Sequence, residues 1–432
     1  MAISSDCTII CVSAASASQK ESNVTITTIF TQLGNSSGMG KRLIEHALDE
    51  LKAKHPHIGI QLKYTEYPSN QTRTQILNTI TNQTPVDLVS IDQIWLGEFA
   101  QKGLLTDLSN YTQSWGREKD WYEENWAGGN YKGRVYGIWA WTDIRGIWYW
   151  KDLLDKAGVN PNSLKTWNGY IASAKRLNTV LRPQGIEGVH LTGASHSPDL
   201  WYPYLWMLGG DILEQRSGHP TKGTAWFPAY NSSKGIKALE FIKDQVTKAG
   251  IKPQKNHFWG QEFANRKFAV MLEGSWMPVE FPKKQLENIK QRVGFIPMFP
   301  VPYKNNQTST LMGGWELSIP KRSTHKDLAW ELITTMSKPV ILAPWLSQNG
   351  FLPTQIPIGE RFTLNATESS PFPYYNEMIS LIPFGGSRTS LPEYPQIAEH
   401  IRQAIHEVQY GIKEPKQALN DAAAKSAKVL GW

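Results

Sequence analysis

The sequence predicts an α/β protein of two units, each a doubly wound sheet flanked by helices. Three observations carry this. The chain has 432 residues, beyond the roughly 250–300 at which a single core stops growing. Over the first hundred residues, strand and helix patterns alternate three times, the mark of a parallel sheet with crossover helices. The stretch Gly133–Asp152, GRVYGIWAWTDIRGIWYWKD, reads as two aromatic-rich strands on either side of a bend at Thr142–Gly146. A segment that leaves one unit as a strand and enters the next as a strand is a hinge, and this one carries Trp139, Trp141 and Asp143 into the space between the units.

Taken in order, Val24–Phe30 (VTITTIF) is the first expected strand. Met39–Lys54 is the first helix, with Leu43, Ile44, Ala47, Leu48 and Leu51 on one face. Strands at Ile58–Tyr64 and Asp87–Ile91 alternate with helices at Asn70–Asn82 and Gln93–Lys102. Ligands of such sheets sit beyond the carboxyl ends of the strands, which selects Thr31–Asn35, Tyr64–Pro68 and Asp92–Trp95 as cleft loops. After the hinge come helices at Lys151–Gly158 and Thr166–Leu181, a strand at Gly185–Leu191 and a mostly buried helix at Asp199–Leu208. Ser232–Ala249 is amphipathic. Phe268–Leu272 is a core strand that delivers Glu273-Gly274-Ser275-Trp276 at its end. Val293–Ile296 is a strand leading into Pro297–Pro302, a proline-punctuated second crossing. Leu311–Ile319 is a strand broken by paired glycines, followed by helices at Thr324–Ser337 and Pro339–Leu346. Gln348-Asn349-Gly350 is an expected third crossing. Helices near Tyr374–Leu381, Pro392–Gln409 and Pro415–Leu430 close the chain.

Residues 1–22 form a leader or disordered segment, small and polar apart from Thr8–Ser13. Ala15-Ser16-Ala17 resembles a signal-peptidase site, although the positive start of an export signal is missing. Both cysteines, Cys7 and Cys11, lie in it, so the body of the chain has no thiol chemistry. Lipid attachment at Cys11 lacks the usual small residue just before it. The net charge of +7 comes without basic runs interleaved with aromatics, which argues against nucleic acid. Gly34–Lys41 fails as a phosphate loop: five residues separate Gly34 from Gly40-Lys41, and Arg42 stands where Ser or Thr should bind magnesium. The segment Gly193-Ala-Ser195-His-Ser197 ends in Ser where a nucleophile elbow needs Gly. There is no His-Glu-x-x-His, and the ten His show no metal spacing. No cofactor and no metal are expected.

Several stretches together resemble the extracellular solute-binding proteins of sugar-importing ABC transporters, the maltose- and trehalose-binding group. They are Pro85–Asp92 with Trp95–Leu105, Gly133–Asp152, Phe268–Trp276 (FAVMLEGSW), Gly313-Gly314-Trp315 with the helix containing Ala329-Trp330, and Pro392–Gly411 with the closing helix. They run in the family's order over residues 24–430. The resemblance implies a two-lobed periplasmic-binding-protein fold joined by three crossing segments, and a membrane permease with an ATPase as partner. It also implies a monomeric receptor that is periplasmic or extracellular and not an enzyme. The lobes are residues 23–142 plus 298–350 and residues 143–297 plus 351–432. Position by position it places Asp92, Asp143, Trp276, Gly314, Trp315 and Arg388 in the cleft. Trp139 and Trp141 make the hinge bulkier than the family's pattern.

The residue types agree with a sugar as ligand. A sugar offers hydroxyls around its rim and apolar C–H faces, so its receptor needs charged groups for the rim and flat rings for the face, and Trp buries most area with fewest rotatable bonds. This reading adds Trp95, Trp141 and Trp259 as candidates, each with core packing as the competing role. Asp92 has a second role open to it, capping the helix that follows. The expected ligand is a di- or oligosaccharide or a sugar-derived osmolyte of the trehalose, maltose or glucosylglycerol type. Two alternatives stay open: an anionic ligand of the glycerol-phosphate kind held by Arg388 and Arg145, and a carbohydrate-active hydrolase or lectin using Asp92 and Asp143.

Overall fold

A computed structural model describes residues 22–32, 38–82, 84–192, 198–254, 260–297, 310–364 and 374–432. The leader with both cysteines lies outside these residues. Among them, eleven strands form one continuous sheet. Ile58–Tyr67, Ser22–Thr31 and Leu88–Asp92 lie side by side and parallel. Thr310–Ser318 pairs antiparallel with Leu88–Asp92 on one side and with Ile138–Trp150 on the other. Beyond Ile138–Trp150 come Phe268–Gly274, antiparallel to it, then Glu187–Thr192 and Pro253–Gln254.

The 13-residue strand Ile138–Trp150 therefore belongs to both halves. Residues Ile138–Ile144 pair with Thr310–Ser318, and Trp141 and Thr142 also pair with Leu352–Pro353. Arg145–Trp150 pair with Phe268–Gly274 and Val293–Pro297 instead. The hand-over falls between Ile144 and Arg145. The expected bend at Thr142–Gly146 is not there: the strand is continuous. Gly146 has a different use, because a Cβ at that position would overlap the Phe295 ring, a close approach of neighbouring strands that only glycine permits.

This strand forms because its aromatic and β-branched residues suit a pleated surface and because helices cover both of its faces. Only Asp143 and Tyr149 along it are more than marginally exposed, while Trp139, Trp141, Trp148 and Trp150 are fully buried. The covering helices follow from their apolar periodicity. Met39–Lys54 buries Met39, Leu43, Ile44, Ala47, Leu48 and Leu51. Trp167–Leu181 and Ser233–Thr247 start at side-chain caps, with Thr166 Oγ1 accepting from the Gly169 amide at 3.2 Å and Ser232 Oγ from the Gly235 amide at 3.4 Å. Tyr394–Gln409 and Pro415–Val429 pack on each other and on Ser233–Thr247.

Several elements escaped the sequence reading, among them the short helices Ser109–Trp115, Glu123–Gly128, Leu286–Arg292 and Ile356–Leu364 and the antiparallel hairpin Leu213–His219 and Gly223–Pro228. Most of the hairpin's first strand is exposed, so it carries little apolar alternation to detect. Most of the expected second crossing, residues 298–302, lies outside the described residues. Gln348-Asn349-Gly350 ends the helix Pro339–Asn349, with Gly350 taking φ 69° in the left-handed region.

Candidate ligand-binding site

Where the two halves of the sheet meet, charged side chains gather from four parts of the chain. Asp143 and Arg145 stand two apart on one strand and so share a face, with Arg145 Nη1 donating to Asp143 Oδ1. Asp92 ends the strand Leu88–Asp92. Its Oδ1 accepts from the Ile94 amide at 3.3 Å and from Arg388 Nη2 at 3.1 Å, so it caps the next turn and pairs with an arginine at once. Arg388 follows the strand Gly385–Ser387, which is held against Thr310–Met312. Its carbonyl accepts from Gln93 Nε2 at 2.7 Å, and its Nη1 donates to Asp199 Oδ2 at 2.9 Å. Arg145 Nη2 lies 3.7 Å from that same oxygen. The result is an unbroken chain of charges, Asp92, Arg388, Asp199, Arg145, Asp143.

Gly313 lies opposite Asp143 in the sheet. A Cβ there would stand 2.9 Å from Asp143 Oδ1 and 3.4 Å from Arg388 Nη2, so the missing side chain is the room in which these groups converge. The side chains of Arg388 and Arg145 are 6% and 7% exposed, and Asp92 is the most open at 21%. Charges this dry persist only when paired and hydrogen-bonded.

The titration behaviour follows from the same geometry. Burial pushes the Asp92 carboxyl up; Arg388 opposes this, and the negative charges of Asp199 and Asp143 add to it. Burial works against the Arg388 charge, but Asp199, Asp92 and Asp143 outweigh it and hold the guanidinium above the ordinary arginine value. Glu316, opposite Ile91 in the sheet, is held well above the carboxylate range by burial and then by Asp92.

The aromatic residues divide sharply. Trp276 follows the strand Phe268–Gly274 and carries the Arg145 guanidinium over its ring, 4.4 Å from the centroid. Its indole folds over Gly274, where a Cβ would overlap it. Trp315 sits opposite Asp92 in register, is half-buried, and meets Trp95 edge to face with centroids 5.7 Å apart. Trp95 is 8% exposed and belongs to the core beneath. Gly314 makes space for Trp139, whose Nε1 donates to the Trp141 carbonyl at 2.9 Å.

One expectation is corrected. Trp141 is 1% exposed and packs with Trp345 and Phe351, centroids 5.1 and 6.2 Å away; it is a core residue, because helix Pro339–Asn349 and Phe351 cover its face of the strand. Trp259 lies outside the described residues. Glu66, a cleft-loop residue, accepts from the Gly38 amide at 2.9 Å and the Tyr64 hydroxyl at 3.1 Å, so a carboxylate occupies the helix start that a phosphate would need. Sequence reasoning missed Asp199 as a site residue and placed it only as the first residue of the buried helix expected at Asp199–Leu208, because its arginine partners lie 54 and 189 residues away in the chain.

Residues 34–340 match the family model described as bacterial extracellular solute-binding protein. The chain belongs to that family. The solute-binding chain is 24% identical over 395 residues to a binding protein of Brucella abortus, covering 89% of each. It is similar in structure to an ABC transporter solute-binding protein of Thermotoga lettingae bound with α-D-tagatose, with TM-score 0.77, 22% identity, and coverage of 95% of this chain and 100% of the other. It is similar also to maltose-bound MalE3 of T. maritima, with TM-score 0.75, 21% identity, and coverage of 94% and 100%. These likenesses show the two-lobed α/β fold that the resemblance implied.

Proposed function

We propose that this solute-binding chain is the receptor of an ABC importer for a neutral di- or oligosaccharide or sugar-derived osmolyte. The observation that carries the proposal is the composition of the charge cluster beside Trp276 and Trp315. Three carboxylates, Asp92, Asp143 and Asp199, face two guanidiniums, Arg145 and Arg388. Such a set offers strong acceptors and strong donors to sugar hydroxyls while leaving no surplus positive charge for a phosphate. Both arginines of the glycerol-phosphate alternative are already committed, and both acids of the hydrolase alternative are tied into ion pairs. Similar folds hold tagatose and maltose, which supports the carbohydrate class.

The lobes proposed are residues 23–142 with 298–350 and residues 143–297 with 351–432. The site residues proposed are Asp92, Asp143, Trp276, Gly314, Trp315 and Arg388, with Trp95 behind Trp315. Closure works by population shift: a ligand that touches both lobes favours the closed form by its differential affinity for it. The closed receptor, periplasmic or extracellular, then docks on a permease served by an ATPase. Calorimetric titration with maltose, trehalose, glucosylglycerol and sn-glycerol 3-phosphate tests the reading. Saturable binding of a neutral sugar is expected; tighter binding of the phosphate would sink it.

A further inference from the structure

Asp199 stands apart from the other members of the cluster. It lies in the short turn Pro198–Leu200, ahead of the helix Tyr202–Met207. Arg388 has a carboxylate of its own in Asp92, and Arg145 has one in Asp143. Among the described residues, Asp199 is the one carboxylate shared by both guanidiniums, at 2.9 Å from Arg388 Nη1 and 3.7 Å from Arg145 Nη2. Without it the cluster would be formally neutral, two against two; with it the formal charge is −1. Its side chain is 11% exposed, so this negative charge is screened little by solvent. The aromatic pair beneath is fixed, with Tyr394 donating its hydroxyl proton to the Tyr202 hydroxyl at 2.9 Å.

We infer that Asp199 is the specificity-determining residue of the site, the group that makes it reject anionic solutes. The inference rests on the neutral-sugar reading above and adds the element that enforces it. Guanidinium groups bind phosphate and carboxylate through parallel N–H donors. Asp199 occupies a donor of Arg388, lies at ion-pair distance from Arg145, and leaves the cluster with a net negative charge. A phosphate brought against this cluster meets like charge among nearly dry groups and finds the Arg388 Nη1 donor already used. Specificity is a difference of affinities, and it is commonly set by such a repulsive element. A neutral sugar meets neither obstacle.

The test compares wild type, Asp199→Asn and Asp199→Glu by calorimetry, with the neutral sugar that the wild type binds and with sn-glycerol 3-phosphate. Asp199→Asn keeps shape and removes the charge. It is expected to gain about tenfold or more in affinity for the phosphate, in line with one or two charge-assisted hydrogen bonds, with a steep loss at high salt. Asp199→Glu is expected to restore wild-type selectivity. A folded Asp199→Asn that still binds the neutral sugar and gains nothing for the phosphate overturns the assignment of Asp199 alone. Wild type preferring the phosphate overturns the neutral-sugar reading itself. Should Asp199→Asn not fold, competition in wild type decides: inorganic phosphate at constant ionic strength is expected to leave sugar binding unchanged, and displacement of the sugar overturns the inference.

Discussion

Charges at the sheet junction and charges on the helix surfaces are treated in opposite ways. At the junction, Arg388 and Arg145 are almost dry and each meets carboxylates from distant parts of the chain. On the surface, Lys243 pairs with Glu414 at 2.7 Å, but the two side chains are 37% and 72% exposed. Geometry alone would call both strong ion pairs. Desolvation separates them: in the dry cluster each partner is indispensable to the other, whereas water can replace either partner on the surface.

The largest break expected is therefore Arg388→Met. It deletes a buried cation and leaves Asp92 and Asp199 without their closest partner, and an uncompensated buried charge costs about 3–5 kcal/mol. Urea unfolding should show the midpoint falling accordingly. A loss under about 1 kcal/mol would place this cluster with the surface pairs.

The tryptophans sharpen the same contrast between what holds the fold and what faces the ligand. Trp141→Ala opens a cavity between Trp345 and Phe351 and should cost about 3–5 kcal/mol of stability, with affinity per folded molecule kept. Trp276→Ala and Trp315→Ala should fold well and lose about tenfold or more in sugar affinity, as central aromatic contacts do. Thermal melts and calorimetry on all three settle the division, and equal behaviour across them would erase it.

That division was only half legible in the sequence. Asp92, Asp143 and Arg388 are 51 and 245 residues apart along the chain, yet the rule that ligands lie at strand ends, with the order of the family-like stretches, put them in one place. The strand Ile138–Trp150 was legible as a segment joining the two halves from its aromatic run, but not as continuous, since Gly146 signals a turn unless Phe295 is known to lie over it. Trp141 and Trp315 both sit on central strands covered on two faces, so alternation cannot say which indole is walled in. Asp199 was illegible because an ion pair between distant residues leaves no local pattern.

Glu280 supplies a third kind of acid, buried with no cation partner among the described residues. It is 7% exposed, and its Oε2 accepts the Gly260 amide at 2.7 Å. Burial raises its pKa from the ordinary 4.5 to about 8, with Glu273 and Glu262 adding to the effect against the Gly260 amide. The folded state then keeps a proton that the unfolded chain gives up, so stability falls as pH rises from about 5 to 8 and levels off above that. Glu280→Gln should flatten this part of the profile. Unfolding curves of both proteins over this pH range test it, and parallel profiles would mean the carboxyl ionises normally.

The smallest effect is expected at Lys243→Ala, and it is the control on which the comparison depends. The Lys243 ammonium reaches both Glu414 oxygens, at 2.8 and 2.7 Å, a better contact on paper than the 3.1 Å between Arg388 and Asp92. Holding two long exposed side chains in one geometry costs about as much entropy as the screened attraction returns, so the change should stay within about 0.5 kcal/mol. It should shrink further as salt is added. Should Lys243→Ala destabilise the protein as much as Arg388→Met, distance rather than desolvation would govern these pairs, and the sheet junction would lose its special standing.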